Sequence, residues 1–138
     1  MATFNKFNAF AENLAEKVFD LGSDTLKVML TNTAPIAANS VKADLTEITA
    51  ENGYTAGGTA ATISSSAQTS GTYKLVLADV VFTATGAIGP FRYAVLYDDS
   101  AASDQLIGWW DYGSSITVNN GETFTVDFNA STGVLTLA

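Results

Sequence analysis

The side chains that could do chemistry in this sequence are mainly carboxylates. The chain has 14 Asp and Glu residues among 138, with no His and no Cys. It therefore has no Ser-His-Asp triad, no imidazole base, no thiolate nucleophile and no disulfide. A glycosidase needs only two carboxylates, but no spacing selects a pair from the late aspartates Asp98, Asp99, Asp104, Asp111 and Asp127. We predict no catalytic residue and expect the protein not to be an enzyme.

The best metal candidate is an acidic run that follows a predicted strand. It contains Asp98, Asp99, Ser100 and Asp104, and oxygen ligands of this kind suit Ca²⁺. The run lacks the alternating acids, the central Gly and the final Glu of an EF-hand loop, so we interpret it as a solvated turn. Residues 53–58 are rich in Gly, but neither a Lys nor a helix follows them, as a phosphate-binding loop requires. We therefore expect no metal and no cofactor.

Aromatic residues form the candidate binding surface. Trp109 and Trp110 are adjacent on a predicted strand, so their side chains must point to opposite faces of a sheet. The tryptophan outside the core either lies under the N-terminal helix or a loop, which we favour, or is exposed. An exposed ring could form a protein interface or stack on a glycan. The candidate interface residues are Phe4, Phe7, Phe10, Trp109, Trp110 and Tyr112.

These residues lie on one predicted helix and a series of predicted strands. Apolar residues recur at spacings of three and four from Phe4 to Leu21, which predicts an amphipathic helix over residues 1–21. Alternation predicts a first strand over 25–31, an irregular stretch over 32–58 and antiparallel strands over 59–138. We expect a single, mainly β domain: an antiparallel β-sandwich, jelly-roll-like, preceded by one N-terminal helix.

Two predicted strands have distinctive patterns. The run FRYAVLY (residues 91–97) is apolar on both faces except for Arg92, which predicts a central strand. In residues 72–83 the apolar alternation continues to Leu77 and resumes one residue late at Val80. A β-bulge near Asp79 would explain this phase break without burying a carboxylate.

Charge and hydropathy restrict the partners and the location. The net charge is −8 with only six Lys and Arg, and these bases are scattered singly, whereas a nucleic-acid binder clusters them. We expect neither nucleic acid nor a membrane as a partner. The N-terminal segment contains three acids where a signal peptide needs an apolar run, so we expect synthesis in the cytosol.

Three segments resemble a known family. The opening MATFNKFNAFAENLAEKVFDLGSDTLKVMLTNTAP, the central GPFRYAVLYDD and the late LIGWWDYGSSITVNNGETFTVDF resemble small structural proteins of tailed-bacteriophage virions. The resemblance implies a capsid decoration (cement) protein on the head surface, made in the host cytoplasm. Its partners would be the major capsid protein or another virion protein and further copies of itself, often as trimers. The resemblance carries over no functional residue.

Two other functions remain open from the sequence. A tail or head-fibre module would bind a host surface glycan or protein through Trp109, Trp110 or Tyr112. A lytic or depolymerising enzyme would use two of the late aspartates. Binding to a sugar array would favour the first of these, and activity on a polysaccharide would favour the second.

Overall fold

The computed structural model describes residues 2–138 and is mainly β with one short helix. The elements are β1 (Asn5–Lys6), α1 (Ala9–Ala15), β2 (Leu26–Thr31), β3 (Thr59–Ala61), β4 (Ile63–Thr69), β5 (Thr72–Leu77), β6 (Val80–Thr83), β7 (Ile88–Asp98), β8 (Leu106–Val118), β9 (Thr123–Val126) and β10 (Leu135–Leu137). Antiparallel strands form a five-stranded sheet of order β1-β8-β7-β2-β3, a three-stranded sheet β10-β5-β4 and a pair β6-β9. This confirms the predicted antiparallel β-sandwich with a helix near the N-terminus. No helix within residues 2–138 is long and apolar enough to cross a membrane.

The five-stranded sheet has apolar side chains on both faces. One face packs with the other two sheets in the main core, and the opposite face carries a smaller core around Phe7, Val95 and Tyr97. The predicted central strand is confirmed, because β7 lies between β8 and β2 and contributes to both cores. Buried apolar surface on both faces holds this sheet at the centre of the molecule.

The N-terminal helix is much shorter than the predicted span of 1–21. It covers only Ala9–Ala15, because Asn5 and Lys6 pair as a strand with Trp109 and Gly108. Strand geometry puts Phe4 and Phe7 on opposite faces of the sheet, whereas a helix would have put both on one stripe. The helix ends before Lys17, which has a left-handed φ of 65°. Tertiary pairing has overridden the helical periodicity here.

The phase break near Asp79 is a change of sheet, and the predicted bulge is wrong. The chain leaves β5 in the three-stranded sheet at Leu77 and enters β6, which pairs with β9, at Val80. Asp79 is exposed between the two strands, and its carboxylate accepts a 2.9 Å hydrogen bond from the backbone N–H of Phe128. The extra residue therefore turns the chain from one sheet into another.

Polar contacts hold the irregular stretch of residues 32–58 against the end of β2 that extends beyond its pairing with β3. The buried hydroxyl of Tyr54 accepts a 3.1 Å hydrogen bond from the backbone N–H of Leu30 and donates a 2.6 Å bond to Glu47. Glu47 also accepts from the N–H of Gly57 at 2.6 Å and pairs with Lys42 at 3.2 Å. These side chains provide part of the pairing that a neighbouring strand would otherwise give β2.

Candidate functional site

An aromatic cleft opens between β8 and β9. It has a volume of about 310 Å³, which is at the lower end of the range for small-molecule sites. One side is formed by residues of β7 and β8 and the other by residues of β9 and the segment after it. We call this feature the aromatic cleft; its lining residues are Ala2, Phe91, Arg92, Tyr93, Ala94, Trp110, Tyr112, Phe124, Thr125 and Asp127.

A large bulge in β8 places Tyr112 at the rim of the aromatic cleft. Tyr93 of β7 pairs with Asp111 and Phe91 pairs with Ile116, so β8 advances five residues while β7 advances two. The intervening residues 112–115 are exposed, and Gly113 takes a φ of 104° that favours glycine. Tyr112 is consequently 56% exposed although it belongs to a strand of the central sheet.

The aromatic residues that line the cleft pack against one another or against neighbouring rings. Phe124 packs edge-on against Phe91 at 4.9 Å and against Tyr112 at 5.8 Å between ring centroids. Trp110 packs between Phe4 at 5.3 Å and Phe128 at 5.4 Å. Such pairs add to the stabilisation that comes from burial, so these side chains are held in place by their neighbours. Tyr112 is the exposed ring at the rim.

Charged groups lie at the same rim. Arg92 donates two hydrogen bonds to the carboxylate of Asp111, at 2.8 and 3.0 Å, and the N–H of Gly113 donates a third at 2.8 Å. These bonds, chiefly that from Arg92, lower the pKa of Asp111, and the same pairing raises the pKa of Arg92. Asp127 adds an exposed carboxylate on the β9 side. Apolar faces beside polar groups suit a peptide loop or a sugar.

The structure separates the six candidate interface residues into buried and accessible groups. Phe7 and Phe10 are 0% and 2% exposed, so both belong to the core of the subunit and neither can be a surface anchor. Trp109 is half-buried against Phe7, at 4.5 Å between ring centroids, on the face of the sheet opposite Trp110. The prediction that the two tryptophans point to opposite faces is therefore confirmed.

Three of the six candidates lie at or beside the aromatic cleft. Tyr112 is exposed, Trp110 is half-buried, and Phe4 is half-buried against Trp110. The N-terminal chain does cover both tryptophans, as we favoured from the sequence. The aromatic contacts come from Phe4 and Phe7, which lie on either side of β1 and outside the helix.

Sequence reasoning missed the opposite wall of the aromatic cleft. The alternation in residues 123–128 predicts that Phe124 points inward, but it does not predict which strand it meets. Arg92 stood out as the one charged residue of FRYAVLY, which was a usable signal. Its partner Asp111 lies 19 residues away, and their approach depends on the pairing of β7 with β8. The same alternation predicts that Asp127 faces solvent, and it is exposed.

The acidic turn differs from the solvated turn that the sequence predicts. The Asp98 side chain is 0% exposed, and its Oδ1 accepts hydrogen bonds from the N–H groups of Ser100 and Ala101 at 2.9 and 3.2 Å. Asp99 is exposed and pairs with Lys27 at 3.1 Å. The buried carboxylate accepts hydrogen bonds from the backbone of its own turn. The acidic composition of the run therefore did not indicate that Asp98 lies in the interior. No group of three metal-ligating side chains occurs in residues 2–138.

A second groove, of about 430 Å³, lies between the end of α1 and the three-stranded sheet. Its lining includes Leu14, Lys17, Phe19, Asp20, Tyr73 and Leu137. Comparisons with protein families, with curated proteins and with solved structures found no match. The geometry of the aromatic cleft and the resemblance drawn from the sequence are therefore the basis for a functional proposal.

Proposed function

We propose that this protein is a non-enzymatic structural component of a tailed-bacteriophage virion, a capsid decoration (cement) protein that stabilises the head lattice. Its partner is the major capsid protein or another virion protein, and it acts at the capsid surface as a homo-oligomer, with a trimer favoured, after synthesis in the host cytoplasm. The resemblance of three long segments to small virion proteins supports this assignment. The structural observation that carries it is the exposed aromatic rim of the cleft.

The aromatic cleft has the properties of a protein-docking site. Tyr112 is 56% exposed above a floor of packed aromatic rings, and aromatic side chains are enriched among residues that dominate binding free energy. A partner loop that inserts an apolar side chain beside Phe124 would bury the Tyr112 ring. The Arg92–Asp111 pair would fix the orientation of that loop, because its geometry is already set within the subunit.

The matched variants Tyr112→Ser and Ile36→Ser test this proposal. Both side chains are large, apolar and exposed, at 56% and 59%, but Ile36 is absent from the lining of the aromatic cleft. Capsids stripped of the protein are incubated with each variant and sedimented. We expect Tyr112→Ser to weaken capsid binding at least about tenfold, which corresponds to a loss of about 1.4 kcal/mol of binding free energy. Ile36→Ser should bind capsids as tightly as the wild-type protein. Failure of the wild-type protein to bind any capsid would contradict the proposal.

A second candidate function uses the same cleft to bind a host surface glycan as part of a tail or head fibre. The observation that favours it is the combination of Trp110 and Tyr112 with the exposed carboxylate of Asp127. Aromatic faces stack on sugar rings, and carboxylates accept hydrogen bonds from sugar hydroxyls. Wild-type binding to a glycan array that Asp127→Asn and Tyr112→Ser both abolish, without any binding to capsids, would favour this function over the first.

A further inference from the structure

The carboxylate of Asp98, at the end of β7, is buried and incompletely hydrogen-bonded. The residue is 0% exposed. The two bonds from Ser100 and Ala101 satisfy Oδ1, whereas Oδ2 has no hydrogen-bond donor within residues 2–138. An ionised oxygen left in this state costs free energy. A native fold that keeps it therefore needs a further partner or a proton at Oδ2.

The group beside Asp98 is a second carboxyl, that of Asp24. Asp24 is half-buried and lies two residues before Leu26, which pairs with Asp98 in the sheet. The next residue, Thr25, donates its N–H to the Ser100 hydroxyl at 2.8 Å and accepts from the N–H of Asp99 at 2.9 Å, which places Asp24 beside the turn that begins at Asp98. The Oδ2 of Asp24 accepts a 2.8 Å hydrogen bond from the backbone N–H of Asp20. Two acceptors in contact repel one another unless one of them carries a proton. A single proton shared between the two carboxyl groups would remove this repulsion.

The other charged groups around the pair do not supply the missing donor. Lys27, on the adjacent strand β2, pairs with Asp99 at 3.1 Å. Asp20 accepts bonds from the N–H of Gly22 and the hydroxyl of Ser23. Asp104, at the far end of the turn, is a further acid. The surroundings are therefore acidic, apart from a lysine that already has a partner.

We propose that Asp24 and Asp98 share one proton and form a pH-sensitive clasp that joins residues 20–25 to the turn between β7 and β8. In the closed state the protonated Oδ2 of Asp98 donates a hydrogen bond to the carboxylate of Asp24. Loss of the proton leaves two buried or half-buried negative charges in contact. The same joint includes backbone bonds, since the N–H of Asp99 donates to the carbonyl of Thr25 at 2.9 Å.

The direction of the pH effect follows from the pKa of Asp98. Burial, and then the hydrogen bond with Asp24, raise this pKa to about 7, against an ordinary value of about 3.9 in an unfolded chain. The folded protein therefore binds more protons than the unfolded chain between these values. The contribution of the clasp to stability is complete below about pH 4 and is lost as the pH rises through about 7.

The first experiment is a carboxyl-carbon NMR titration of the wild-type protein. We expect the signal of one carboxyl of the pair to titrate near pH 7. Assigning the signals requires Asp24→Asn and Asp98→Asn, each of which removes one of them. If both carboxyls of the wild-type protein titrate below pH 5, the clasp does not exist. This measurement decides the matter even if one variant fails to fold, because the other still assigns its signal.

The second experiment compares melting temperatures at pH 5 and pH 8. The wild-type protein should melt several degrees lower at pH 8, as expected when a chain of this size loses a proton-linked interaction. Asp98→Asn should remove this difference, because the amide N–H supplies the donor at every pH. Asp99→Asn, on the exposed neighbour, should keep it. A wild-type melting temperature equal at both pH values would overturn the proposal.

A bound cation is the competing explanation, and calcium chloride against EDTA at pH 8 distinguishes it. The clasp predicts the same melting temperature in both, because the proton, and not a metal, fills the gap beside Oδ2. A rise in melting temperature with calcium that Asp98→Asn abolishes would overturn the shared proton in favour of a cation site. None of these experiments depends on whether the protein binds capsids.

Discussion

The hydroxyl of Tyr54 is the single atom whose removal should most weaken the attachment of residues 32–58 to the central sheet. It accepts a hydrogen bond from the N–H of Leu30 and donates one to Glu47. Burial, and then the bond to Glu47, raise the pKa of Tyr54 above its ordinary value, so the hydroxyl stays protonated and keeps donating. Tyr54→Phe removes this one atom and keeps the ring, which packs on Phe82 at 5.7 Å between centroids.

The cost of Tyr54→Phe can be worked out from these two bonds. Leu30 is 0% exposed, so its N–H loses its partner without gaining water, which costs about 1–3 kcal/mol. Glu47 keeps the N–H of Gly57 and its ion pair with Lys42, so its loss is the smaller one. We expect the free energy of unfolding to fall by about 2–4 kcal/mol in total.

Urea denaturation at pH 7 measures this change. Tyr112→Phe is the control, because it removes the same atom from an exposed side chain and should change the free energy of unfolding by less than about 0.5 kcal/mol. If Tyr54→Phe costs no more than this control, the hydroxyl does not hold the 32–58 stretch to β2, and the reasoning is refuted.

Two further stability predictions follow from close packing. Gly58→Ala places a Cβ 1.9 Å from the carbonyl oxygen of Val28, whereas Gly71→Ala meets nothing within 4 Å at nearly the same φ, +80° against +85°. Both substitutions introduce the same backbone strain, and only Gly58→Ala adds a steric clash. Thermal melts should therefore show Gly58→Ala as the more destabilising by at least about 2 kcal/mol. Equal losses of stability in the two variants would contradict the clash. Phe7→Ala empties a fully buried site in the smaller core and should lower the free energy of unfolding by about 3–5 kcal/mol in urea; a loss below about 1 kcal/mol would contradict its core position.

Local patterns in the sequence predicted the strands well where burial is alternating or continuous. The predicted first strand, 25–31, matches Leu26–Thr31, and the two-sided apolar run of β7 is central in the sheet. The N-terminal span failed because a spacing of three residues fits both a helical stripe and a strand that alternates between two cores. Only the pairing of Asn5 with Trp109, over 104 residues of chain, decides between them.

The candidate site was only half predictable for the same reason. Tyr112 and Trp110 were identified from their type, but the aromatic cleft exists because β8 bulges after Asp111 and because Phe124 of β9 packs on Phe91. Neither the bulge nor the contact between these rings can be read from the residues next to them in the sequence. Asp98 shows the opposite problem: its acidic neighbours indicate solvent, while its position at the end of a buried strand puts it in the interior.

A cryo-electron microscopy reconstruction of the phage particle that we propose to contain this chain tests the central claim most directly. We predict density for the β-sandwich on the outer surface of the head, with the aromatic cleft, identified by Tyr112 and Arg92, in contact with the capsid lattice or with a neighbouring copy. A head surface without this density would contradict the account. So would a bound sandwich whose aromatic cleft faces solvent.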